Sequence, residues 1–347
     1  MRGSNLSTKK FAVLISAVAL TLAGCAAGGG EAASDAGGDS GSTESTESTE
    51  AAASGGDNSD IKICVYTHGD GGTFWSVAQA GAEKAAEDLG VTLDYQGSVN
   101  DAALQASTIE AAVAAGCSGV AASAPDPGAI ETAMQQVADA GIPTVTMNSG
   151  SQVFKDLGAF THVGQDEIVA GQQAGLRFND LGVSKILCPI QEAGNSGLQE
   201  RCDGARETFN GTVEDFNLDG GLQDLAAAST KLEAALAADA DIDAVFALNA
   251  DIAAKAALPA ADAVGRDLVI GTVDLSEDAL NEIAAGNIAF AIDQQQYAQG
   301  YLSVVLLYLN VINGHELGGG LPMYTGPGFV TPDNVGVVQE LVNAGTR

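Results

Sequence analysis

The sequence predicts an α/β fold built as two doubly wound lobes with parallel sheets. Three observations carry that prediction. From residue 61 onward, short β-type runs alternate with longer segments whose apolar residues recur at the 3.6-residue helical period, and such alternation implies parallel strands covered by helices. The alternation starts afresh after Gly164, which divides it into two runs of similar design. The chain has 347 residues, and at about 150 residues per domain it accommodates two lobes once its first sixty residues are set aside.

The first run reads strand 61–67, helix 74–89, strand 91–96, helix 101–115, strand 119–123, helix 127–140 and strand 144–147. In its first helix Phe74, Val77, Gly81, Ala82, Ala85 and Leu89 share one face. Asp126 before Pro127 is an N-cap followed by proline at the first helical position, and Gly141 with Pro143 stops that helix. The second run reads helix 166–181, strand 185–190, helix 197–210, a weak strand, helix 224–238 and strand 244–248. It continues with helix 251–264, strand 268–271, helix 276–285, strand 288–292 and a long helix 298–311.

The first sixty residues are an address and a tether. Residues 1–10 carry Arg2, Lys9 and Lys10 without an acid, and 11–22 is an unbroken, mainly apolar stretch, so 1–24 reads as a secretory signal. The stretch ends in Leu22-Ala23-Gly24-Cys25, which resembles the bacterial lipoprotein box. Cys25 is therefore the expected lipidation site, anchoring an exported protein on the outer face of the cytoplasmic membrane. Residues 25–60 are dominated by Gly, Ser, Thr, Ala and acids, too little apolar area to offset ordering entropy, and read as a disordered acidic tether.

Charge narrows the partners. With 14 Lys+Arg against 45 Asp+Glu the formal net charge is −31, whereas binding a phosphate backbone needs clustered positive charge, so nucleic acid is not an expected partner. No apolar run reaches the roughly 18 residues that a membrane span requires, which argues against a channel. Cys188 and Cys202 sit at the end of one predicted strand and inside the next helix, and are read as a disulfide pinning the loop between them, which an oxidising compartment permits. Cys64 and Cys117 fall in apolar strand patterns and are read as small buried hydrophobes.

In open α/β sheets ligands bind beyond the carboxyl ends of the strands. The candidate residues there are His68, Phe74 and Trp75 after the first strand, Asn148 after the fourth, Arg201 on the helix after a glycine loop, and Asn249, Asp274 and Gln294 after three later strands. Amides and carboxylates with aromatic faces suit a neutral, polyhydroxylated ligand, because each carboxylate accepts hydroxyl hydrogens and a ring packs on the C–H face of a sugar. Each residue also has an ordinary reading. Phe74 and Trp75 can staple a helix to the core, Asn148 and Asn249 suit turns, Asp274 can simply precede a Ser276 cap, and Arg201 can pair with Glu200 or Asp203. Enzymatic patterns fail: there is no G-x-S-x-G elbow, phosphate loop, H-E-x-x-H or complete G-x-G-x-x-G. The three histidines, His68, His162 and His315, are scattered, so the reading is a non-enzyme with no metal and no cofactor.

The Phe74-Trp75 pair opening the first helix joins five further marks: Gly-Ile-Pro-Thr-Val-Thr-Met-Asn (141–148), Val-Gly-Gln-Asp (163–166), Gln-Glu-Arg-Cys-Asp-Gly (199–204), Ala-Val-Phe-Ala-Leu-Asn (244–249) and Phe-Ala-Ile-Asp-Gln-Gln (290–295). With these the chain resembles a type I periplasmic binding protein of the ribose-binding-like group that serves ABC sugar importers. The resemblance implies two lobes joined by a hinge, with a ligand cleft between them. It implies an N-terminal lobe of 61–164 plus 295–325 and a C-terminal lobe of 165–294 plus 326–347. Phe74 and Trp75 fall where the family sandwiches a sugar ring. Asn148, Arg201, Asn249, Asp274 and Gln294 fall where it places polar contacts, with Gln165 at the first crossing between lobes. The chain departs from the family by carrying Gly72-Thr73 before the aromatic pair and Asn148-Ser149 in place of an Asp-Arg pair, which argues against ribose itself. The implied function is a monomeric solute-binding lipoprotein that delivers a sugar or polyol to an ABC permease. A sensory receptor on the same fold, and a nucleoside or furanose-signal binder, are the alternatives.

Overall fold

The computed structural model describes residues 58–347. The expected signal peptide, the lipidation of Cys25 and the tether up to residue 57 lie outside the described residues, among which no helix is long and apolar enough to cross a membrane.

One sheet collects β1 (Lys62–Thr67), β2 (Thr92–Gly97), β3 (Gly119–Ser123), β4 (Thr144–Met147) and β5 (Thr161–Gln165), with α1 (Gly72–Leu89), α2 (Ala102–Glu110) and α3 (Pro127–Asp139) between them. After α4 (Glu167–Asp180) a second sheet begins with β6 (Lys185–Ile190), followed by α5 (Ser196–Thr208), β7 (Thr212–Asn217), α6 (Leu225–Ala238) and β8 (Ala244–Ala247). It goes on through α7 (Ala250–Ile252), a π-helical segment (Ala253–Ala257), α8 (Leu258–Ala263), β9 (Val269–Val273), α9 (Glu277–Ala285) and β10 (Phe290–Asp293). Helix α10 (Gln296–Asn313) returns to the first sheet. Strand β11 (Met323–Gly326) joins that sheet, β12 (Gly328–Val330) joins the other, and α11 (Val335–Asn343) follows.

The strand orders are β11-β5-β4-β3-β1-β2 and β12-β10-β9-β8-β6-β7, which correspond position by position. The lobes are two versions of one α/β design. Both are doubly wound because alternate side chains of a strand enter different cores: Ile63 and Val65 pack on the face covered by α1 and α10, while Cys64 and Tyr66 pack on the opposite face. In the second lobe Ala244, Phe246 and Leu248 face one core and Val245 and Ala247 the other.

Two helix pairs approach unusually closely. A Cβ built on Gly300 of α10 would lie 1.9 Å from the Ala78 carbonyl oxygen of α1, and one on Gly81 2.1 Å from the Tyr297 carbonyl oxygen. In the second lobe Gly171 of α4 and Gly204 of α5 do the same, 2.2 Å from the Arg201 carbonyl oxygen and 2.1 Å from that of Ile168. Close approach rotates the buried stripe of α1, so Ala78 rather than Val77 is fully covered.

Three features differ from the sequence expectation. The helix expected over 251–264 is interrupted by the π-helical turn, because Pro259 has no N–H to donate and its ring crowds the preceding turn. Strand β12 runs antiparallel to β10. Only Pro327 separates it from β11, leaving no length for a crossover, so the chain runs straight on into the second sheet against β10. Cys64 and Cys117 are not free buried thiols: they form a disulfide with Cα atoms 5.8 Å apart, made reachable because β1 and β3 are neighbours. Cys188 and Cys202 are bridged as well, at 6.1 Å, fastening α5 to β6.

The α1–α10 contact yields a stability prediction. Gly300→Ala forces backbone apart, not a flexible side chain, and is expected to cost about 1–3 kcal/mol, read as a lower urea midpoint at unchanged slope. A midpoint equal to that of the unsubstituted protein would contradict the close approach.

Candidate functional site

The carboxyl ends of β1 and β4 from one lobe face those of β6, β8, β9 and β10 from the other across a cavity of about 320 Å³. Among the predicted residues, His68, Phe74, Trp75, Asn148, Arg201, Asn249, Asp274 and Gln294 all line it.

On the first lobe's wall, His68 follows β1 and is held by Ser123. The Ser123 hydroxyl accepts from the His68 backbone N–H (2.8 Å) and the Gln105 amide (3.3 Å), so its own proton goes to His68 Nδ1 at 2.8 Å. The imidazole is thereby the Nε2–H tautomer, and burial pushes its pKa below the ordinary range, against the pull of Glu192. Its ring meets Trp75 edge to face at 4.9 Å, and Trp75 meets Phe74 the same way at 4.9 Å. Gly69 must be glycine here, since a Cβ would lie 2.1 Å from the Trp75 Nε1.

Asn148 and Asp274 occupy corresponding positions, just after β4 and β9. Both have left-handed backbone (φ 61° and 70°), a conformation that Asn and Asp tolerate best among residues with a side chain. Each N–H donates to the neighbouring strand, Asn148 to the Val163 carbonyl at 2.9 Å and Asp274 to that of Ile292 at 2.8 Å. The turn aims both side chains into the cavity.

The second lobe's wall is a connected polar network. Asp274 accepts from Gln294 Nε2 (2.5 Å) and from Asn249 Nδ2 (3.2 Å), while Asn249 Oδ1 caps α7 by accepting from the Asp251 N–H at 2.9 Å. Burial pushes the Asp274 carboxyl up to about 6, against the opposing attraction of Arg201. Arg201 is buried and does not pair with Glu200 or Asp203. Its Nε and Nη2 donate to the two oxygens of Glu167 at 2.6 and 3.0 Å, and Nη1 donates to the Leu248 carbonyl at 3.0 Å.

Gln165 lies beneath this wall and not on the cleft. It is fully buried at the end of β5, and its Nε2 donates to Glu167 Oε2 at 2.7 Å. The crossing between lobes therefore turns its side chain toward the Arg201 support. His162, in the same strand, is a core residue: Nδ1 meets the Thr146 hydroxyl at 3.0 Å and burial lowers its pKa to about 3.

Sequence reasoning did not single out Glu167 or Asp251, and Glu192 falls within the strand-end stretch 191–195 without being carried into the candidate set. Glu192 stands 3.8 Å from His68 Nε2 across the cleft, and Asp251 meets the Thr73 hydroxyl at 3.4 Å. A backbone bond from the Ser196 N–H to the Pro125 carbonyl (3.0 Å) is a third link between lobes. Glu167 had no readable signal, since its partner is 34 residues away on another helix. Glu192 follows the end of β6, the signal that identified its neighbours, whereas Asp251 lies within α7.

The fold is shared with known proteins. Residues 63–316 match the family described as the periplasmic binding protein domain. A carbohydrate transporter from Acidothermus cellulolyticus, solved in complex with myo-inositol, is 38% identical, covers 83% of this chain and 99% of its own, and superposes with a TM-score of 0.79. The xylose/arabinose-binding protein of Sulfolobus acidocaldarius is 25% identical over 295 residues, 79% of this chain and 72% of that protein. The ribose import binding protein of Haemophilus influenzae is 26% identical over 248 residues, 67% of this chain and 79% of that protein. With two matched lobes, a cleft at their strand ends and a family match spanning most of its length, the chain belongs to the type I periplasmic binding proteins of the ribose-binding-like group, and is a binding protein and not an enzyme.

Proposed function

We propose that this protein is the exported solute-binding lipoprotein of an ABC importer, and that it traps a sugar or ring polyol by closing its two lobes, with myo-inositol the first candidate. The observation that carries the reading is the pairing of two unlike walls: the Phe74–Trp75 rings on one, and the Arg201, Asn249, Asp274 and Gln294 network on the other. A ring polyol has apolar C–H faces and a hydroxyl rim, so the aromatic wall takes a face while the network donates to and accepts from the rim. The 38% identical relative holding myo-inositol supports the choice of first candidate.

In this reading 61–164 plus 295–325 form the N-terminal lobe and 165–294 plus 326–347 the C-terminal lobe. Residues 1–24 are the signal, Cys25 carries the lipid, and 25–60 leave the binding body free to reach a permease in the same membrane. Closure is favoured only by the ligand's greater affinity for the closed state, so both walls must contribute. The Asn148-Ser149 sequence, lacking the family's acid and arginine, weighs against ribose.

The test is calorimetry and Trp75 fluorescence on the purified protein with myo-inositol, arabinose, xylose, ribose, hexoses and nucleosides. One ring polyol is expected to saturate a single site. Arg201→Ala and Asp274→Ala should each weaken it by about 10- to 100-fold, the loss of charge-assisted hydrogen bonds. No response to any polyol, or both variants binding as the parent does, would overturn the reading.

Protonation supplies a second expectation. The ligand needs Asp274 as an acceptor, so binding favours the carboxylate and affinity should be full above about pH 6 and fall below it, by at most about tenfold per unit. Stability of the ligand-free protein should run the other way. The folded-state pKa of about 6 lies above the ordinary 3.8, so this contribution is present below 3.8 and lost as pH rises through 6, by about 3 kcal/mol at most. Asp274→Asn should flatten both profiles. An unchanged pH dependence of affinity in that variant would assign the titration to another group.

A further inference from the structure

Arg201 is the sole Lys or Arg among the described residues lining the cleft, which it shares with Asp70, Glu192, Asp251 and Asp274. A buried guanidinium is the side chain best shaped to clamp a carboxylate through two parallel hydrogen bonds. Here that cation is already neutralised. Glu167 Oε2 and Oε1 take Nε and Nη2 from beneath the wall, and Leu248 takes one hydrogen of Nη1. Two of the five N–H bonds are left as donors, one on each Nη.

Glu167 is held for this task. It is 2% exposed and does not line the cleft. Its Oε2 also accepts from Gln165 at 2.7 Å. The glycine-mediated approach of α4 to α5 brings it within reach of Arg201, which the Cys188–Cys202 bridge helps to fasten in place.

We infer that Glu167 is a positioning residue that sets the charge class of the ligand: by neutralising Arg201, the one cation among the described residues of an otherwise acidic cleft, it admits uncharged ring polyols and rejects ring carboxylates such as hexuronates. The accepted half of this inference rests on the polyol reading above; the rejected half stands apart from it.

The parent protein, Glu167→Gln and Glu167→Asp are titrated by calorimetry with myo-inositol and with galacturonate near neutral pH. The parent should ignore galacturonate. Glu167→Gln should raise the ratio of galacturonate to polyol affinity by about 30-fold or more, the Arg201 charge being left without its internal counter-ion. Glu167→Asp keeps the charge and should restore rejection. A role confined to folding would lower the melting temperature and weaken all ligands alike without moving the ratio, and that result overturns the inference, as does galacturonate binding by the parent. If the parent ignores every polyol while Glu167→Gln gains galacturonate, the polyol reading falls and the inference stands. Should Glu167→Gln not fold, nitrogen NMR of the parent decides: the Arg201 Nε–H must be protected from exchange with hindered guanidinium rotation, and a freely exchanging Nε–H means that the pair does not hold.

Discussion

Parallel strand pairing is the constraint on which the site depends. Parallel neighbours need a crossover, and successive right-handed crossovers return every strand in the same direction, so all carboxyl ends of a sheet open on one edge. In this chain His68, Asn148, Asn249, Asp274 and Gln294 reach one cavity for that reason alone, although they are spread over more than two hundred residues of sequence. The constraint also explains the one exception in the pairing. Strand β12 comes after the polar wall is complete, carries no cleft residue, and is free to run antiparallel.

Bringing polar groups to one edge creates a desolvation problem, and the second lobe's network is its solution. Arg201, Glu167 and Asp274 are all nearly inaccessible, and a buried charge without a partner costs several kcal/mol. Glu167 neutralises Arg201, while Gln294 and Asn249 donate to Asp274. Burial still outweighs these bonds at Asp274, whose carboxyl stays above the usual range. That residual tension leaves the carboxylate able to gain from a ligand hydroxyl, which is what a binding site requires of its acceptor.

The alternation of strand and helix was readable because short runs such as 119–123 and 244–248 lie between segments of clear helical period. Finer features were not. The stripe on α1 is set by how closely Gly81 and Gly300 let α10 approach, a tertiary fact that shifts burial from Val77 to Ala78. The Cys64–Cys117 bridge depends on β1 and β3 becoming neighbours in space, with 53 residues between the two cysteines. In the site, residues named from strand ends reach the cleft because topology delivers them. Gln165 and Glu167 are also near a strand end, yet their side chains turn beneath the wall, and only packing against α5 decides that.

The correspondence between lobes makes the choice at residue 148 a physical one. Asn148 and Asp274 share a turn, a left-handed backbone and a bond to the next strand, yet one is an amide and the other an acid. Asp274 has Arg201 nearby and two amide donors. Asn148 has none of these: its side-chain oxygen accepts from the Ser149 hydroxyl at 2.8 Å. An acid at 148 would be a buried carboxylate with no cation beside it, since the position that carries arginine in the family is Ser149 here. The two departures from the family pattern are thus one change. Losing the arginine requires losing the acid, and together they leave the first wall without a buried ion pair opposite a second wall that holds one, Arg201 with Glu167.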